Sequence, residues 1–368
     1  MRKLSIIYIV FATALFVTSC SEDDSNAAEE MTITVEEEQF VFDAVGAVAE
    51  QTAEEAKKTI NGKWDVGTPA SSSKQNLSCD FLGVEFTDDR FALAFEITGV
   101  DPDTDENVDE VIYAYGPYTL VEGTDGTVTA VELFETIDGV DYKIATLTDI
   151  VVEETNNELN ATFSVEFDLP EDIAEDFPCG NLSGNYSAEK DEPVVSSDQA
   201  NDASNNFSKL VNAWRLDTIQ IDGQNAPLGL FVAEEIFDAE EECAEIFDAA
   251  IESVGEGGSE QEFEIAFEQA NEACENRLFE LAADVDVEIE VTFSPYGSYI
   301  LSASIDGITA SVEVDDWEFS NTAQTELLVD GETQLVIDQI TDTELRIIEN
   351  IDEDDFQQQI IFSFSRNN

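Results

Sequence analysis

Val84-Glu85-Phe86-Thr87-Asp88-Asp89-Arg90-Phe91 returns later in the chain as Val291-Thr292-Phe293-Ser294-Pro295-Tyr296-Gly297-Ser298-Tyr299, with Phe86 on Phe293 at an offset of 207 residues. Each stretch is an apolar run, a polar turn and a new aromatic start, the pattern of two strands joined by a short connection. Upstream, Asn61-Gly62-Lys63-Trp64-Asp65-Val66 recurs as Val211-Asn212-Ala213-Trp214-Arg215-Leu216, at an offset of 150. Downstream, Pro117-Tyr118-Thr119-Leu120 answers Asp316-Trp317-Glu318-Phe319, and Lys143-Ile144-Ala145-Thr146-Leu147-Thr148-Asp149 answers Val336-Ile337-Asp338-Gln339-Ile340-Thr341-Asp342 at an offset of 193. The markers keep their order, so the chain holds two copies of one domain. The changing offsets place the insertions. Between the Trp and Phe markers the second copy is 57 residues longer, supplied by residues 228–284, and beyond the Phe marker the first copy is 14 longer, mostly in the acidic stretch Gly99 to Glu110.

Outside the insertions the pattern is strand-like. Residues 90–97 and 298–305 are short apolar or alternating runs, while Gly123-Thr124-Asp125-Gly126, Ile137-Asp138-Gly139 and Val329-Asp330-Gly331 punctuate hairpins. Many short, closely spaced strands mean a barrel or a sandwich. Residues 191–206, rich in Ser, Asn and Asp, read as the linker between a first domain over 36–190 and a second over 207–368.

An N-terminal Gly-x-Trp, an aromatic-Thr/Ser strand pair, a mid-domain Trp strand and an Ile-x-x-Leu-Thr-Asp strand, in that order and twice, resemble the lipocalin-like domains of Bacteroidota lipoproteins, over residues 60–187 and 207–368. The resemblance implies a mainly β fold: two lipocalin-like antiparallel β-barrels, with Trp64 and Trp214 plugging the closed ends. It also implies an Arg near the last strand stacking on that Trp, a part that Arg366 would take for Trp214. The first copy has no Arg after its expected last strand near Phe163 to Phe167, and Asn212 stands where the family prefers Gly. From strand pattern alone, a pair of β-sandwiches is the alternative.

Within the 228–284 insertion, Val232, Ile236, Ala239, Cys243, Phe247, Ala250 and Val254 lie on one face of a helix, as do Phe263, Phe267, Ala270, Cys274, Leu278 and Leu281. Gly255-Glu256-Gly257-Gly258 separates them, so a helical hairpin is expected, as a lid, a docking element for a protein partner or a decoration on the barrel wall. Cys243 and Cys274 fall almost level in it, which favours a disulfide there and leaves Cys79 with Cys179; buried free thiols are the alternative. Residues 36–60 read as one more amphipathic helix, packed on the first barrel.

The first 19 residues read as a secretory signal, with Arg2 and Lys3 before a short apolar run. Val17-Thr18-Ser19-Cys20 resembles the lipobox of bacterial lipoproteins, whose Cys carries the lipid, and Ser21-Glu22-Asp23-Asp24-Ser25 resembles the acidic export signal of Bacteroidota surface lipoproteins. The expectation is a chain lipid-anchored at Cys20 to the outer membrane, facing the cell surface on an acidic tether over 20–35.

The charge excludes much. Among 368 residues there are 84 Asp and Glu, 14 Lys and Arg and no His, a formal net charge of −70. Such a chain is repelled by polyphosphate, so no nucleic-acid partner is expected. Without histidine there is no His-dependent triad and no His-ligated metal; no phosphate loop or nucleophile elbow is present, and no enzyme is expected. Asp101, Asp103, Asp105, Asn107 and Asp109 place oxygen ligands at alternate positions, which resembles acidic calcium loops; the alternative is a solvated loop, since Glu106 and Ile112 break the EF-hand pattern. No other cofactor is expected. Two functions remain: a binding module for a small apolar or glycan ligand, and an interaction protein whose barrels are filled by their own side chains.

Overall fold

The computed structural model describes residues 40–366 apart from 68–70, 75–76, 88, 101–106, 138–139, 170–181, 203–204, 233–238, 255–258, 284 and 354–355. The fold is mainly β: two closed eight-stranded antiparallel barrels, each an up-and-down meander. The first comprises β1 (Gly62–Val66), β2 (Leu77–Phe86), β3 (Arg90–Val100), β4 (Asn107–Glu122), β5 (Val128–Ile137), β6 (Val140–Thr155), β7 (Glu158–Phe167) and β8 (Gly184–Lys190). The second comprises β9 (Ala213–Ile221), β10 (Val287–Phe293), β11 (Ser298–Ile305), β12 (Ile308–Phe319), β13 (Glu326–Val329), β14 (Thr333–Ile340), β15 (Glu344–Glu353) and β16 (Phe356–Arg366). Strand pairs β8–β1 and β16–β9 close the rings, leaving no long unpaired edge among the described residues.

The repeat is visible atom by atom. A short helix leads into each first strand: α1 (Ala53–Ile60) before β1, and α3 (Phe207–Leu210), which follows α2 (Ser197–Ala200) in the linker, before β9. The indole N–H of Trp64 donates to the Ile60 carbonyl at 2.7 Å, and that of Trp214 to the Leu210 carbonyl at 2.9 Å. Each bond satisfies both a helix-end carbonyl and the one polar atom of a buried Trp.

The barrels close differently from the expectation in one respect. The last strand of the first barrel is β8, beyond Phe167, and its Lys190 pairs in register with Trp64 just as Arg366 pairs with Trp214. Lys190 therefore takes the cation's place in the copy that has no Arg there, with its Nζ 5.3 Å from the Trp64 ring centre. Gly62 is needed beside it: its φ is +148°, and a Cβ on it would lie 2.3 Å from Cε of Lys190. Asn212, at the matching place in the second barrel, donates from its side chain to the Lys209 carbonyl at 3.0 Å.

Residues 36–60 do not form one helix. α1 begins at Ala53, capped by Thr52, whose hydroxyl accepts from the Glu55 N–H while Glu55 reaches back. Ahead of it Gly46 takes φ +136°, and Phe40 and Phe42 lie on extended chain that crosses to the other barrel. Phe42 meets Tyr296 edge-on at 5.9 Å and Phe40 meets Phe207 at 6.3 Å, while Asn201 brackets the Phe40 backbone with two hydrogen bonds of 2.7 and 3.0 Å. Burial of two aromatic rings on the second barrel overrides the helical periodicity. α1 itself packs on the first barrel through Ala56 and Ile60, as expected.

The insertion is a hairpin of α4 (Ala239–Val254) and α5 (Glu260–Ala283), with Cys243 bonded to Cys274 at a Cα separation of 5.3 Å.

Candidate functional site

Among the described residues, both barrel interiors are packed with aromatic and aliphatic side chains. In the first, Phe81 contacts Phe95, Phe167 and Tyr186 at 5.6, 6.2 and 5.0 Å. The space left beside Trp64 and Phe163 is about 10 Å³, room for no more than one water. In the second, Trp214, Phe207 and Phe293 are fully buried, and the Trp317 ring stands edge-on to Phe293 and Phe319. An apolar ligand inside either barrel would have to displace these side chains.

Space for a ligand exists between the barrels. The barrels meet mainly through the matching strands β2–β4 and β10–β12, with β1 and β5 of the first also reaching β12. Ala92 and Tyr115 pack on Ile300, flanked by Val312 and Val314. Around this patch runs a partly buried polar network. Arg90 forks onto Glu290 through two bonds of 3.2 and 3.4 Å, Tyr115 donates to the same carboxylate, and Thr292 lies 3.0 Å from the Tyr115 oxygen. Glu85 accepts from the Ser294 hydroxyl across the junction, and the Tyr296 hydroxyl donates to the Asn61 carbonyl at 3.3 Å. Lys190 donates to the Phe42 carbonyl at 2.7 Å with its ammonium over both Trp64 and Tyr296.

Beside this network opens a cleft of about 390 Å³, lined by Lys63, Asp65, Glu85 and Tyr113 of the first barrel and Asp315, Asp316 and Asp330 of the second. Ala92, Ala94 and Val314 give it an apolar floor. Gly83 permits β1 and β2 to approach there, since a Cβ on it would lie 2.5 Å from the Trp64 carbonyl. Among the described residues Lys63 is the one cation lining the cleft, 3.7 Å from Asp191 and 3.8 Å from Asp316. Burial pulls its pKa down, but Glu85, Asp316, Asp191 and Asp65 together hold it above the ordinary lysine value. Glu85, only 5% exposed, has its pKa raised by burial despite Ser294 and Lys63. Burial, then Asp330 and Asp316, also raise Asp315. Carboxylates outnumber the ammonium, so the cleft favours hydrogen-bond donors and positive charge. Among the described residues it holds no nucleophile poised beside a base and no cluster of metal-ligating side chains.

The residues singled out from the sequence fall elsewhere, apart from one edge. Trp64 borders the cleft, whereas Trp214 lies in the core of the second barrel, paired in register with Arg366 on the closing strand. Cys20, Cys179, Asp101, Asp103 and Asp105 lie outside the described residues. Asn107 and Asp109 are not on a loop: they begin β4, exposed, in register with Val100 and Thr98. Cys79 is fully buried on β2. Sequence reasoning missed Lys63, Arg90 and Lys190, although a signal existed: in a chain with 14 cations against 84 anions, each cation is a rare letter, and these three meet at the junction.

No protein-family model and no curated protein matches this chain. Among solved structures, one titled "The Structure of Intact Ap-TbpB (N and C lobes)" is similar at 9% identity and a TM-score of 0.16, covering 84% of this chain. The match spans 60% of that chain's length.

Proposed function

We propose that this chain is a lipid-anchored, non-catalytic binding protein of the outer membrane, facing the cell surface, whose ligand sits between the barrels and not inside them. The observation that carries this reading is the contrast of volumes: about 10 Å³ inside the first barrel against about 390 Å³ in the cleft. The wall of carboxylates accepts hydroxyl protons, Lys63 supplies one donor, and Tyr113 with the small apolar floor suits the less polar face of a sugar ring. A glycan fragment therefore fits the cleft better than an apolar molecule. Anchoring is supported by the lipobox-like Val17–Cys20, and the wider kinship proposed is with Bacteroidota surface lipoproteins of lipocalin-like build.

Native mass spectrometry of the mature protein, extracted gently from its own membrane, tests both parts. The expected spectrum shows the polypeptide with an acyl adduct lost in Cys20→Ser, and a saccharide mass lost in the double variant Asp315→Asn, Asp316→Asn. A bare polypeptide with acyl adduct, together with no calorimetric response to a panel of oligosaccharides, would refute the cleft as a glycan site.

A further inference from the structure

The hairpin of α4 and α5 is anchored where α5 meets the 3-10 turn Leu228–Val232; Gly229 lies against the Ala282 backbone, and Leu278 and Ala282 are buried. The seam between the helices stays closed through Cys243 and Ala270, each 3% exposed. Toward the tip it opens. Phe263 and Phe267 are 47% and 46% exposed although they lie on the stripe that faces α4, and Ile251 on α4 is 51% exposed. Phe267 contacts Phe247 at 5.3 Å and stacks with Phe263 at 6.3 Å, so the open seam is a continuous aromatic row. A disulfide one helical stretch away holds the two helices at fixed spacing, so this apolar row is presented preorganised.

We propose that the open seam is a docking groove for a basic amphipathic helix of a partner protein, which completes a three-helix layer. Two half-exposed helices with a shared apolar row are the receptor half of helix-in-groove recognition. Charge selects the occupant. Along their length α4 and α5 carry thirteen Asp and Glu against the single Arg277, so the hairpin as a whole is strongly acidic. A second copy of this chain, at −70, is repelled, as is an anionic lipid surface. A helix with Leu or Phe on one face and Lys or Arg on its flanks suits both the aromatic row and the net negative charge of the hairpin.

The mature full chain is titrated at physiological salt with three fluorescent 18-residue peptides: a basic amphipathic helix, a scramble of the same composition, and its acidic counterpart. Binding of the first is expected, at least tenfold tighter than the scramble, with none for the acidic peptide. The double variant Phe263→Ser, Phe267→Ser should weaken it at least tenfold while the far-UV spectrum and the Cys243–Cys274 bond persist. Equal binding of basic helix and scramble would reduce the attraction to general charge and overturn the proposal. So would unchanged binding by the double variant. Self-association of the unmodified chain abolished by the same substitutions would assign the groove to a second copy instead.

Discussion

Replacing Lys190 by Met should flatten the alkaline pH profile of stability. Burial brings the Lys190 ammonium down from an ordinary value of 10.5 to about 8, with the charge of Asp43 opposing it. Between those values the unfolded chain holds a proton that the folded chain has lost, so stability rises with pH across this window. Charging Lys190 in the folded state costs about 3 kcal/mol at pH 7, and roughly 2 kcal/mol of that is recovered by pH 9.5. Above about pH 10 the rise reverses, because Tyr115, Tyr296 and Tyr299 are held protonated in the fold by burial, with nearby carboxylates adding to it. Urea unfolding of both proteins at half-unit steps from pH 7 to 9.5 reads the difference directly. The unmodified protein should gain about 2 kcal/mol more than the Lys190→Met variant over that range. Parallel profiles would show that the ammonium over Trp64 and Tyr296 is hydrated as in water, and the picture of a dry junction would fall with it.

Three further outcomes follow from the same structure. Arg90→Met takes the countercharge from the largely buried Glu290 carboxylate and should cost about 2–4 kcal/mol, whereas Arg90→Met with Glu290→Leu should recover most of it in denaturant titrations. Replacing both Cys243 and Cys274 by Ser opens a loop closed across 31 residues, worth about 3–4 kcal/mol in the chain-entropy model; the helical signal should melt earlier while barrel unfolding is unmoved. Raising salt from about 10 mM to 1 M shortens the screening length from roughly 30 to 3 Å and should raise Tm in a chain of net charge −70; equal Tm values would contradict self-repulsion as a destabilising force.

The barrels, their duplication and the inserted hairpin are legible in the sequence because each rests on local periodicity or on self-similarity, and the strand runs around Phe86 and Phe293 need no tertiary information. The closing strand of the first barrel is not. Gly184–Lys190 alternates Tyr186, Ala188 and Lys190 inward, and small or charged inward residues hide the two-residue period. The extended Phe40–Phe42 segment reads as helix because its partner surface lies on the second barrel, about 165 or more residues away in sequence. The cleft is invisible for the same reason: Lys63 and Asp316, or Arg90 and Glu290, become neighbours only when the barrels meet. Composition alone marks the junction's cations, Lys63, Arg90 and Lys190, as rare residues in this chain.

The use of mainly matching strands by both barrels gives the junction some of the character of a homodimer interface drawn inside one polypeptide. In a true symmetric dimer every substitution occurs twice, so a carboxylate near the axis meets its own image. Tandem fusion lifts that restriction. Glu290 faces Arg90 while its own counterpart in the first copy is Gly83, and Glu85 faces Ser294 while its counterpart is Thr292. The tether over 191–206 holds the halves together at an effective concentration on the order of millimolar, so a contact too weak for separate chains suffices. In a tandem chain each face can therefore differ from its counterpart, and the seam can hold an asymmetric cleft with a carboxylate-rich wall.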